Sequence, residues 1–96
     1  MLTNEVVRIH RSKIFELPFS TKDILEDEGD RVIRRVQLEK ALKLGNDYRQ
    51  AVKLQFQTSD GVVGETDATV WSLTEDKVEL KGGKIIPIGA VLNVVV

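Results

Sequence analysis

The sequence predicts a mainly β fold of the α+β class, in which an N-terminal helix is followed by a strongly bent, five-stranded antiparallel barrel. Three observations support this prediction. A run of helix-forming residues occupies positions 30–45, apolar and polar residues alternate from Arg49 onward, and glycine-containing turns separate short strand-like runs after that point. Five strands with a bend in the second are the number that a small barrel requires.

The chain has 96 residues and is therefore expected to form a single domain. Within it we expect an arm with a short helix at 1–29, a helix at 30–45 and the barrel at 49–96. The first of these parts begins as a weak strand or arm over residues 5–17, which Pro18 interrupts. Ser20 and Asp23 have the spacing of a capping box for a short helix through Leu25, which Gly29 would end.

The helix at 30–45 has recognisable ends. Asp30 is a suitable N-cap, and Gly45 with Asn46 is suited to a left-handed C-terminal cap. Residues 23–30 carry five acidic side chains, whereas residues 31–44 carry five basic ones, an order that complements the helix dipole. A helical wheel divides this segment into an apolar half that we expect to face the core and a second, basic half that also contains leucines. The apolar half holds Val32, Ile33, Val36, Ala41 and Leu44, and the basic half holds Arg31, Arg34, Arg35, Leu38 and Leu42.

The strands follow from a period of two. Val52, Leu54 and Phe56 alternate with polar residues, which is typical of a half-buried strand. The remaining strands are expected at 62–73, 77–81, 84–88 and 91–96, with turns at Asp60-Gly61, Thr74-Glu75-Asp76 and Gly82-Gly83. Gly64 permits a sharp bend in the long second strand, and Pro87 suits an edge or a strand end.

Composition excludes several kinds of chemistry. The chain has no cysteine, so disulfides, thiolate metal sites and cysteine nucleophiles are absent, and it has a single histidine, His10. The acidic residues near turns, such as Glu75 and Asp76, would be solvated and lack the apolar pocket that raises the pKa of a general acid. We therefore expect no catalytic residues, no metal site and no cofactor. The net charge of −1 argues against a wholesale polyanion binder, and no apolar run approaches the ~20 residues of a membrane span, so a cytoplasmic protein is expected.

The order of these elements resembles the Sm-like family of small SH3-like barrels. The resemblance covers residues 30–96 and depends on the helix, the Asp60-Gly61 turn, the strand with Gly64, and the closing Leu-Lys-Gly-Gly-Lys-Ile-Ile-Pro-Ile segment followed by Val91 and Val94. The outline is similar to that of Rof, an inhibitor of the termination factor Rho, and to small bacterial proteins of unknown function. Sm and Hfq proteins, which form rings, bind RNA through a polar loop and a basic link between strands. Here the loop Thr74-Glu75-Asp76 is acidic and the link 88–91 is uncharged, so RNA binding is possible but disfavoured.

These observations predict a non-enzymatic adaptor or regulatory protein that binds a protein partner. The contact would be made through the basic helix face (Arg31, Arg34, Arg35, Leu38, Leu42) or through an exposed strand edge at 92–96, which is uncharged and rich in β-branched residues. The competing interpretation of the arginines is a solvated face with local ion pairs. The alternative function is an oligomeric Sm-like RNA-binding protein, and the oligomeric state stays open.

The aromatic residues are assigned to the core. Trp71 could serve as a stacking platform for a base, but a lone Trp in a strand of a small domain is more often buried. Phe15, Phe19 and Phe56 receive the same interpretation. His10 is expected to be an exposed residue of the arm without a chemical role.

Overall fold

A computed structural model describes residues 6–20 and 22–96, without the side chains of Arg11, Phe15 and Glu16. Within this part the chain forms one α-helix, seven strands and two short 3₁₀ helices. In chain order these are β1 (Val6–Arg8), a 3₁₀ helix (Arg11–Glu16), α1 (Glu28–Tyr48), β2 (Val52–Gln57), β3 (Val63–Ala68), β4 (Val70–Leu73), β5 (Lys77–Leu80), β6 (Lys84–Pro87), a second 3₁₀ helix (Ile88–Ala90) and β7 (Val91–Val95).

The predicted barrel is wrong, because the described strands form two separate sheets. One sheet has the order β1-β3-β2-β7 and the other the order β4-β5-β6. The long second strand expected at 62–73 is divided at Thr69 into β3, which belongs to the first sheet, and β4, which belongs to the second. Ala68, Thr69 and Val70 are all buried, and three consecutive buried residues do not fit one alternating strand. The chain passes from one sheet to the other here and not at Gly64.

The helix is not N-terminal. It lies in the middle of the chain, after β1, which pairs in parallel with β3, and after the first 3₁₀ helix. Residues 22–27 form no helix, because the carboxylate of Asp23 and the hydroxyl of Ser20 bind nearby backbone groups in turns. Thr21, inside the predicted short helix, and Met1 to Glu5 lie outside the described residues, as does the side chain of Phe15.

Both predicted ends of the helix also shift. The N-cap is Asp27 and not Asp30, and its side chain accepts a hydrogen bond from the Gly29 amide. The left-handed residue at the C-terminal end is Arg49, with φ 54°, and not Gly45. Gly45 lies inside α1 for another reason, since a Cβ at this position would be 2.1 Å from the carbonyl oxygen of Val70. The glycine allows the helix to approach the backbone of β4 closely.

The predicted division of the helix into faces is wrong for Val32, Ile33 and Val36, which are exposed, and for Arg34 and Leu38, which are buried. The buried residues of α1 are Arg34, Leu38, Ala41 and Gly45. The three apolar residues assigned to the core are instead exposed, Val32 by 57%, Ile33 by 58% and Val36 by 46%. Of the predicted apolar half, Ala41 is buried and Leu44 half-buried.

Apart from the division at Thr69, the positions of the strands after α1 and the alternation in β2 agree with the prediction. Val52, Leu54 and Phe56 of β2 are buried between more exposed neighbours, and the Asp60-Gly61 and Gly82-Gly83 turns contain glycines with positive φ. Pro87 ends β6, an edge strand. The core joins α1 to both sheets, and Phe19 packs edge-on against Phe56. The expectation that Trp71 lies in the core is wrong, because this residue of β4 is 47% exposed.

Candidate functional site

The predicted basic face contains a buried ion pair. Arg34 is only 4% exposed, and its two terminal nitrogens donate to the two carboxylate oxygens of Asp23 at 2.9 and 2.6 Å. One of these nitrogens also donates to the Val91 carbonyl oxygen at 3.1 Å. The guanidinium therefore connects α1 to the start of β7 and to the segment before the helix. It holds the pKa of Asp23 below its ordinary value.

The other four predicted contact residues occupy different environments. Leu38 is fully buried, and Leu42 is half-buried against the core. Arg31 is partly exposed and donates to the Leu25 carbonyl oxygen at 2.6 Å, and Arg35 donates to the Thr74 carbonyl oxygen at 2.7 Å. The fold therefore does not present the five residues as one surface. Arg34 and Leu38 form part of the interior, and the two partly exposed arginines fasten α1 to neighbouring loops.

A different surface is open on this side of the molecule. Two concavities lie along the border between α1 and the segment 92–96, and we call them together the α1–β7 groove. Its first stretch, about 250 Å³, is lined by Leu25, Asp30, Ile33, Arg34, Gln37, Leu92 and Asn93. Its second stretch, about 270 Å³, is lined by Lys40, Lys43, Leu44, Tyr48 and Val96. The lining residues that belong to α1 recur at spacings of three and four, so they lie on one side of the helix.

β7 forms one border of this groove and is an edge strand. Within residues 6–20 and 22–96 it pairs with β2 alone. The strand and Val96 carry no charged side chain, and Val95 and Val96 are exposed. An uncharged, β-branched edge lacks the lysines and prolines that commonly prevent another chain from pairing with it.

Charge is distributed unequally along the groove. Asp30 lies at the end near Leu92, whereas Lys40 and Lys43 lie at the end near Val96. The helix and β7 run in the same direction, since Arg34 contacts Val91 at one end and Leu44 and Tyr48 lie beside Val96 at the other. The edge at 92–96 is predicted from the sequence, whereas the helix flank is not, because Ile33 is expected in the core and is instead 58% exposed.

Comparisons with protein-family models, with curated proteins and with solved structures found no match. The resemblance to the Sm-like family stays a prediction. The surfaces of this chain must therefore be interpreted from their own chemistry.

The titratable groups do not form a recognisable catalytic arrangement among the described residues. Glu65 and Asp67 on β3 both pair with Arg8 of β1, at 3.0 and 2.8 Å. The pKa of Glu65 is lowered by hydrogen bonds from Gln55 and Arg8, and that of Asp67 by the hydrogen bond from Arg8. A general acid needs the opposite shift. The part of the chain that the structure describes contains no group of three or more potential metal ligands and no helix that is long and apolar enough to cross a membrane.

Proposed function

We propose that this chain is a non-catalytic adaptor or regulatory protein that captures an extended segment of a protein partner in the α1–β7 groove. The segment would add a strand to the edge of β7 beyond Val91, whose carbonyl oxygen is bound by Arg34, and would place apolar side chains against Ile33, Leu44 and Tyr48. The observation that carries this proposal is the coincidence of an uncharged edge strand with a helix flank on which Ile33, Leu44 and Tyr48 contribute apolar surface between charged residues. Backbone hydrogen bonds supply affinity in this mode of recognition, and side-chain pockets supply specificity.

The charge of the groove determines the chemistry of the partner. Antiparallel pairing is the slightly more stable arrangement, and a strand antiparallel to β7 would begin beside Val96 and end beside Leu92. Its N-terminal end would then lie near Lys40 and Lys43, and its C-terminal end near Asp30. The best ligand is thus a segment with acidic residues, then alternating apolar residues, then a basic residue.

The test uses the full chain and a display library of random extended peptides. Selected peptides should contain the acidic-apolar-basic order, and their binding should depend weakly on salt because backbone pairing dominates. Ile33→Asp and Val95→Lys alter exposed positions, and each should weaken a selected peptide at least about tenfold, a loss of ~1.4 kcal/mol. Ile85→Asp, at an exposed position of β6 in the other sheet, is the matched control and should bind like the unaltered chain.

The proposal fails if the library yields no such peptides. It also fails if the selected peptides bind both groove variants as tightly as the control. A steep decrease of affinity with salt would indicate a contact dominated by charge instead of strand addition.

A further inference from the structure

A second concave surface lies between the C-terminal end of α1 and the outside of the β4-β5-β6 sheet. It encloses about 570 Å³, which is within the range of small-molecule sites. The side chains that could interact with a polar or aromatic ligand are those of Asn46, Arg49, Trp71, Glu79 and Lys81. We call it the Trp71 cleft. None of these residues belongs to the α1–β7 groove.

Trp71 supplies an aromatic face. It is the only tryptophan of the chain, and it is nearly half exposed although its neighbour Val70 is fully buried. Within residues 6–20 and 22–96 the indole nitrogen donates no hydrogen bond and the ring stacks on no other ring. A large aromatic side chain on the outside of a sheet, beside a concavity, offers a surface on which a planar ligand can stack.

Two cations line the same cleft. In the described part of the chain, the side chains of Arg49 and Lys81 have no hydrogen-bond or ion-pair partner. Among the described residues, Glu79 is the one acidic residue that lines the cleft, and its carboxylate already accepts a hydrogen bond from the Ser72 hydroxyl at 2.8 Å. The lining therefore has a net positive charge, although the whole chain has a charge of −1.

The helix end does not counteract this positive charge strongly. Free carbonyl groups at a helix C-terminus repel anions. Here the Arg49 amide donates to the Gly45 carbonyl oxygen at 3.0 Å, and the Gln50 amide donates to the Leu44 carbonyl oxygen at 3.2 Å. The left-handed backbone of Arg49 makes this cap and places the residue at the border of the cleft.

We propose that the Trp71 cleft binds a nucleotide, with the base stacked on Trp71 and the phosphate held by Arg49 and Lys81. A nucleotide combines the two properties that the cleft selects, a planar aromatic ring and an anionic group. Asn46 and Glu79 offer amide and carboxylate groups to the polar edge of the base. The same chemistry is present in a free nucleotide and in a single-stranded nucleic acid.

The single tryptophan provides the assay. Adenosine monophosphate and a short oligoadenylate RNA are each titrated into the full chain while the fluorescence of Trp71 is recorded. Stacking should quench the fluorescence in a saturable manner with at least one of them. Quenching by the monophosphate identifies a free-nucleotide site. Quenching by the RNA alone identifies a single-strand site, and its affinity should then decrease with salt at a slope of about −1.4 for two phosphate contacts. Absence of quenching by both overturns the proposal.

Variants locate the ligand. Arg49→Gly removes the guanidinium and keeps the positive φ that glycine tolerates, and Lys81→Gln removes the second charge. Each should weaken binding about fivefold or more. Trp71→Ala, measured with a labelled ligand, should weaken binding about 10- to 100-fold.

Lys77→Gln is the control, since Lys77 is an exposed residue of β5 that does not line the cleft, and it should leave the affinity unchanged. Circular dichroism shows whether each variant is folded. If Arg49→Gly, Lys81→Gln and Trp71→Ala are folded and bind like the unaltered chain, the ligand does not occupy this cleft and the proposal is wrong.

Discussion

At the scale of single residues, Arg34 joins segments that are far apart in the sequence. A buried guanidinium is tolerated only when its charge is paired and its donors find acceptors. Asp23, 11 residues away in the sequence, pairs with it, and Val91, 57 residues away, accepts a further hydrogen bond. One Arg34 nitrogen, Nε, is buried without an acceptor within the described residues. A single side chain thus connects three distant parts of the chain.

Asp23→Asn should reduce the stability of the protein in a way that depends on pH. At neutral pH the change removes the charge that faces a buried Arg34, which should cost about 3 kcal/mol. The pKa of Asp23 is lowered from its ordinary 3.8, so its pair stabilises the folded state fully above that value. As the pH falls through the lowered pKa, Asp23 takes up a proton and this stabilisation disappears. Urea unfolding at several pH values should show the two proteins converging in strong acid.

The matched control is Asp30→Asn, an identical chemical change in the exposed first turn of α1. It should cost less than ~1 kcal/mol, because an exposed acidic residue there interacts mainly with the helix dipole. A difference between Asp23→Asn and the unaltered protein that stays constant down to strong acid would show that the Asp23 pair does not titrate as described.

At the scale of elements, the helix shows what could and could not be predicted from the sequence. Its existence and approximate position follow from helix-forming residues and an acidic-to-basic order of charges. The face that the helix buries cannot be predicted in this way, because hydrophobicity alone favours burial of Val32, Ile33 and Val36, which are exposed. The face of α1 that is buried depends on the close approach of Gly45 to β4 and on the partners of Arg34. Both involve residues that are remote in the sequence. The exposure of Trp71, by contrast, could have been found from its alternation with Val70.

Gly45→Ala should destabilise the protein although alanine favours helices. The higher helix propensity of alanine should by itself stabilise the folded state by ~1 kcal/mol. The added methyl group would lie 2.1 Å from the Val70 carbonyl oxygen, a backbone atom of β4 that cannot move away alone. Overpacking of this kind costs about 1–3 kcal/mol, and so close an approach should cost an amount near the upper limit. After the gain in helix propensity is subtracted, we expect the free energy of unfolding, measured with urea, to decrease by about 2 kcal/mol.

Gly29→Ala is the control for helix preference. The nearest atoms to a Cβ at Gly29 are those of the flexible Asp27 side chain, at 3.7 Å or more. This change should leave stability unchanged or raise it by up to ~1 kcal/mol. Equal effects of the two substitutions would mean that α1 does not approach β4 as closely as the structure indicates.

At the scale of the whole molecule, α1 packs against strands of both sheets, and the three share one core. The sequence located the strands but could not assign them to sheets, because the passage from one sheet to the other occurs at Thr69, a residue with no turn preference of its own. The parallel pairing of β1 with β3 could not be predicted from the sequence either, because it brings together residues that are remote in the chain, such as Arg8 with Glu65 and Asp67. Alternation identifies a strand, whereas its neighbour is chosen by packing.

This connection predicts that the two sheets unfold together. α1 packs against both β4 and β7, so its buried face contributes to the same core as Leu54 of β2 and Val78 of β5. Small domains with one shared core commonly unfold in a single transition. Native-state hydrogen exchange at the amides of Leu54 and Val78 should therefore give the same opening free energy, and Gly45→Ala should lower both values equally. If Gly45→Ala lowers the value at Val78 while Leu54 keeps its protection, the β4-β5-β6 sheet opens by itself. In that case α1 would be joined to the β1-β3-β2-β7 sheet alone, mainly through Arg34 and Val91.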